Sequence, residues 1–152
     1  NAGSGALAVK ARVRETFAVV YSDRLQDFSQ GGARLSDSVV VKGSRINDGV
    51  LLEGGNALVA RDEAVEIISP CGCSIWRFDR TSAPGLERAR FTSVQRIGRH
   101  TVIGLAGNGD ASGTRPTALG VSERKEVVWS CASPRDLDMA IAIRLQARRD
   151  YN

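Results

Sequence analysis

The sequence predicts a mainly β protein, a small antiparallel barrel or sandwich closed by one C-terminal α-helix. Three observations carry that prediction. Residues 7–21 alternate apolar and polar side chains at period two. Short apolar segments punctuated by Gly and Pro then recur from residue 38 to residue 121. The last quarter holds an apparent strand, Glu126 to Ala132, that runs into a well-capped helix.

The first of these is the clearest strand signal. Leu7, Val9, Ala11, Val13, Phe17, Val19 and Tyr21 point one way, and Lys10, Arg12, Arg14 and Thr16 the other. The pattern predicts one long half-buried strand, or two separated by a bulge near Glu15. Ser22-Asp23 can cap a short helix carrying Leu25 and Phe28, ended by Gly31-Gly32. Further strands are expected at 38–42, 50–52, 57–60, 64–69, 74–78, 88–94, 101–106 and 117–121. Arg61-Asp62-Glu63 and Gly54-Gly55-Asn56 fall between them as turns. No repeat of fixed period and no interior linker stands out.

Ser133 is a suitable N-cap, Pro134 fits the first helical turn, and Asp136 sits where a capping-box acid reaches back. The helix is expected over residues 134–149, with Leu137, Ala140, Ile141 and Leu145 forming its apolar stripe. Asn1 to Gly5 has the composition of a flexible leader or cloning remnant, leaving residues 6–152 as one β-rich domain.

Composition bounds the function. At 152 residues and 42% hydrophobic, the chain can bury a real core, but with 5% aromatics that core must be chiefly Val, Ile, Leu and Ala. No apolar run approaches the ~20 residues of a membrane helix. An odd count of three cysteines argues against a disulfide framework and predicts a reduced, intracellular protein with small buried thiols. Cys71-x-Cys73 with His100 and Cys131 is too thin a ligand spacing for zinc, so no metal and no cofactor is expected. Gly107 to Gly113 lacks the Lys-Ser/Thr of a phosphate-binding loop. With one histidine and no paired-carboxylate signature, an enzyme is the least supported class.

The charge distribution is more informative. Six arginines lie between residues 77 and 99 against only Asp79 and Glu87, a net +4 that equals that of the whole chain. Trp76, Phe78 and Phe91 are interleaved with them. Guanidinium groups beside aromatic rings can track a phosphate backbone and stack bases. The same pattern also fits a solvated arginine face over an apolar core.

From Ile46 onward the order of elements resembles the pleckstrin-homology and phosphotyrosine-binding superfold. The local echo is Val94-Gln95-Arg96-Ile97-Gly98-Arg99-His100, a strand over 101–106, a glycine-rich loop to Gly113 and a strand over 117–121. It is similar to the insulin-receptor-substrate type of phosphotyrosine-binding domain. The resemblance implies a barrel capped by a helix, and makes Arg96 a phosphate-contacting residue. A second arginine of that pattern would fall near Asn108.

The expected role is a non-catalytic protein- or peptide-binding module, an adaptor or scaffold within a larger assembly. Arg88, Arg90, Arg96 and Arg99 would steer an acidic partner. The alternative is a nucleic-acid-binding β domain, with those arginines on phosphate and Trp76, Phe78 or Phe91 free to stack.

Overall fold

The computed structural model describes residues 5–12, 16–109 and 112–132. Of the two alternatives expected for residues 7–21, its first strands follow the second, two strands on either side of residues 13–15, but they pair with each other rather than continue across a bulge. The alternating stretch is a hairpin of β1 (Ala8–Arg12) and β2 (Thr16–Val20), paired antiparallel from Ala8 opposite Val20 to Arg12 opposite Thr16. The expected helix after Ser22-Asp23 is a strand instead, β3 (Arg24–Ser29). Ser22 and Asp23 form the tight turn, closed by the Tyr21 N–H donating to the Arg24 carbonyl at 2.9 Å. Leu25 and Phe28 fit a helical spacing, yet they lie on opposite faces of the strand. Leu25 enters the core, and Phe28 stacks on Phe17 with ring centroids 5.5 Å apart. A two-residue strand, β4 (Val39–Val40), completes the first sheet.

Two more sheets follow the same plan. The second contains β5 (Asp48–Leu51), β6 (Ala57–Ala60), β7 (Ala64–Ile68) and β8 (Ser74–Asp79), with a single 3-10 turn at Glu53–Gly55. The third contains β9 (Arg90–Ile97), β10 (His100–Ala106), β11 (Ala118–Val121) and β12 (Val127–Cys131). Every strand pairs antiparallel with its neighbour in sequence, and pairing stops after β4 and after β8.

The structure therefore has three separate sheets and no closed barrel among the described residues. That overturns the expected barrel and its pleckstrin-homology-like form, which needs one sheet to curl and close on itself. The helix expected over 134–149, like residues 1–4 of the leader, lies outside the described residues. The strand expected over 126–132 is present as β12.

The core is built between the sheets. Ala18, Val20, Leu25, Val39, Val41 and Ile46 meet Leu51, Ala57, Val59 and Ile68 between the first and second. Leu58, Ala60, Val65 and Phe78 meet Leu86, Ala89, Phe91, Val94, Ile103, Leu105, Leu119 and Val121 between the second and third. Along β6 the side chains alternate between these two cores, which is why Ala-Leu-Val-Ala is apolar throughout. A strand covered on both faces loses the period-two signal.

Polar groups tie the sheets at one end. Asp48 on β5 pairs with Lys10 of β1 at 3.0 Å and accepts a 3.0 Å hydrogen bond from the Val94 N–H of β9. The preceding Asn47 donates to the Asp62 carboxylate and to the Phe91 carbonyl. One carboxylate thus touches the first strand of all three sheets.

Candidate interaction surface

The six arginines are spread over β8, the loop after it, β9 and the turn that follows. Arg88 precedes β9 and Arg90 opens it, both exposed. Arg96 stands near the other end of the same strand, and Arg99 is exposed in the Gly98-Arg99 turn that follows. At ~3.3 Å per residue, the six steps from Arg90 to Arg96 span about 20 Å. The two pairs cannot grip one phosphate.

Arg96 is also engaged. Its guanidinium donates to the Gly98 carbonyl and to Thr101 Oγ1, each at 3.1 Å, and pairs with the Glu123 carboxylate at 2.9 Å. It clamps the β9–β10 turn to the β11–β12 turn. Asn108 is buried and donates to the carbonyls of Gly85 and Pro116, closing the base of the loop.

The aromatic residues form an internal column. Phe78 and Phe91 are both 0% exposed and meet edge to face at 6.3 Å, in the core between the second and third sheets. A base cannot reach either ring. Trp76 stacks on Phe78 at 6.3 Å and its indole N–H donates to the Glu123 carbonyl. Trp76 and Arg96 therefore both end on Glu123, and fasten β8 and β9 to the same turn.

The surface that sequence reasoning missed is the far edge of each sheet. β4, β8 and β12 are the last strands of their sheets, and each exposes large apolar side chains: Val40, Ile75, and Val127, Val128 and Trp129. All five residues of β12 are exposed, so among the described residues this strand offers both an unpaired edge and an apolar side-chain row. The Trp129 indole lies against Gly120 so closely that a Cβ there would overlap it. The run Glu126 to Ala132 was legible as a strand. That it ends a sheet was not, because edge position is a property of topology.

Among the described residues, no group of three or more His, Cys, Asp and Glu side chains is arranged to hold a metal ion. Nor is any helix there long and apolar enough to cross a membrane. The expectation of small buried thiols is corrected, since Cys71, Cys73 and Cys131 are all exposed.

β1, β5 and β9 begin at residues 8, 48 and 90, so the four-strand unit repeats after 40 and then 42 residues. Four-stranded antiparallel units at a spacing of roughly 40–45 residues are the blades of a β-propeller. No protein-family model matches the sequence, and no curated protein is similar to it. Solved structures do match. A Bacteroides caccae protein of unknown function superposes with a TM-score of 0.57 at 16% identity, over 82% of this chain and 48% of that one. The WD40 domain of Neurospora crassa Pan2 superposes with a TM-score of 0.52 at 9% identity, over 86% of this chain and 39% of that one.

The three sheets have the build of propeller blades. These neighbours replace the pleckstrin-homology and phosphotyrosine-binding resemblance, and at such identities they speak to the fold alone. The chain spans less than half the length of either structure.

Proposed function

We propose that these blades form a non-catalytic platform that binds a protein or peptide partner. The observation that carries this reading is β12, an exposed edge strand bearing Val127, Val128 and Trp129 at the margin of the third blade. An extended segment of a partner can pair with such an edge through its backbone, while apolar side chains supply affinity. The likeness to a WD40 domain supports a binding role by analogy of fold. Arg88, Arg90 and Arg99 are exposed cations in a chain of net charge +4, and would raise the encounter rate with an acidic partner.

The test compares partners retained by the wild-type chain and by Val128→Arg, with circular dichroism to confirm that both are folded. Loss of a specific partner in the variant is expected. An unchanged set of partners would remove β12 from the interface. Titrating a labelled mixed-sequence single-stranded RNA at low and physiological salt addresses the alternative. Tight, steeply salt-dependent binding would overturn the protein-binding reading in favour of nucleic acid.

A further inference from the structure

Cys71-Gly72-Cys73 plays no part in the β12 surface, yet it is the most chemically specific feature of the fold. The segment forms the turn between β7 and β8. Ser69, Pro70, Cys71 and Gly72 make a tight turn closed by the Gly72 N–H donating to the Ser69 carbonyl at 2.8 Å. Proline is pre-set for its second position, and Gly72 takes the left-handed conformation, φ 87°, that lets the chain re-enter the ladder. The Ser69 N–H then bonds to the Cys73 carbonyl, also at 2.8 Å.

This turn places two exposed thiols side by side, with Sγ atoms 3.3 Å apart. Ser69 organises them. Its Oγ accepts the Cys73 backbone N–H at 3.2 Å and lies 3.0 Å from Cys71 Sγ, where the hydroxyl can donate to the sulfur. Those hydrogen bonds, from Ser69 first and then from Cys73, bring the Cys71 thiol down to about 7. The remaining proton is held on Cys73, whose thiol is pushed up by the adjacent Cys71 sulfur. One thiolate and one thiol thus share the turn near neutral pH.

We propose that Cys71 and Cys73 are a redox-active dithiol that exchanges with small disulfides of the glutathione class, Cys71 attacking and Cys73 resolving. The Cys71 thiolate attacks one sulfur of the oxidised disulfide. One glutathione leaves as thiolate and takes up a proton, and a mixed disulfide remains on Cys71. Cys73 then loses its proton to solvent and attacks the Cys71 sulfur, expelling the second glutathione. The protein dithiol becomes a disulfide, one disulfide becomes two thiols, and two electrons pass to the glutathione couple. The Cys sulfurs need to approach by about 1.3 Å to reach a bond length of ~2.0 Å. An attacking thiol that ionises near ambient pH is the most effective kind, and an exposed bridge in a tight turn is the labile kind.

The experiment treats the full chain carrying Cys131→Ser with oxidised glutathione at pH 7, and follows intact mass and peptide mapping. Expected is one internal Cys71–Cys73 disulfide with no doubly glutathionylated species, reversed by excess reduced glutathione. Adding Cys73→Ser should halt the reaction at a single adduct on Cys71. In the Cys131→Ser parent, thiolate absorbance should rise with a midpoint near 7, and Cys71→Ser should shift it toward the ordinary thiol range. Accumulation of stable adducts on both cysteines, or a bridge that reduced glutathione does not open, would overturn the proposal. So would an unreactive pair.

Discussion

Ile46 and Phe91 make the same backbone contact at successive blade junctions. The Ile46 N–H donates to the carbonyl of Ser22 at 2.9 Å, and the Phe91 N–H donates to the carbonyl of Asp62 at 3.3 Å. Ser22 and Asp62 are each the first inner residue of a two-residue turn in the preceding blade, spanned by the Tyr21–Arg24 and Arg61–Ala64 hydrogen bonds. Both donor side chains are 0% exposed. The second blade therefore docks on the first as the third docks on the second, each junction using a buried apolar residue whose backbone N–H reaches the turn of the preceding blade.

Truncating either residue should loosen its own junction. Phe91→Ala is expected to cost about 3–5 kcal/mol and Ile46→Val about 0.5–1.5 kcal/mol, as buried large-to-small changes do. Urea unfolding checks both. A cost below 1 kcal/mol for Phe91→Ala would mean that the junction between the second and third blades does not hold the fold together.

Asp48 joins all three blades, so its loss should exceed that of its partner. Asp48→Ala strands the buried Val94 N–H and leaves Lys10 without its carboxylate, for an expected cost of about 2–4 kcal/mol. The Lys10 side chain is 27% exposed, and Lys10→Met is expected to cost about 1 kcal/mol or less. Equal costs in chemical denaturation would show that the salt bridge, rather than the Val94 hydrogen bond, dominates.

The two ends of β9 should answer differently to alanine. Arg88→Ala removes an exposed side chain and should leave stability within about 0.5 kcal/mol. Arg96→Ala removes the hydrogen bonds to Gly98 and Thr101 and the contact with Glu123, and should cost about 1–2 kcal/mol. Parallel melts of the two variants decide this, and reversed costs would refute the clamp.

Asp79 introduces an acid dependence. Hydrogen bonds from the Thr81 hydroxyl and backbone N–H, helped by Arg77, hold its carboxyl below the usual carboxylate range. A depressed folded-state value stabilises the fold above the unfolded pKa, and that contribution disappears as pH falls through the folded value. Wild type should therefore melt above Asp79→Asn at pH 7, with the gap closing below about pH 4. A gap that stays constant with pH would assign the difference to side-chain geometry rather than charge.

Much of the strand inventory was written locally. Ala57 to Ala60, Ala64 to Ile68 and the turn between them could be read from apolar runs and turn formers. Residues 24–29 could not. Leu25 and Phe28 satisfy helical spacing as well as they satisfy a strand, and only the Phe17–Phe28 stack and the core around Leu25 select the extended form. The candidate site was less legible still. Arg96 and Arg99 are close in sequence, but Glu123 engages only the first of them. Phe78 and Phe91, interleaved with arginines on paper, meet each other inside the core.

By itself the sequence determined that the chain is mainly β, where most strands run, and that its turns bear Gly and Pro. It also set the Cys-Gly-Cys spacing, whereas the turn that brings the two sulfurs within 3.3 Å and exposes them belongs to the folded structure. Tertiary structure alone decided that pairing breaks after Val40 and again after Asp79. A strand's side-chain pattern reports that its faces are buried, and stacked sheets bury faces just as a barrel does. Which edge bonds to which, and so whether β12 closes a barrel or stands open, depends on partners distant in the chain.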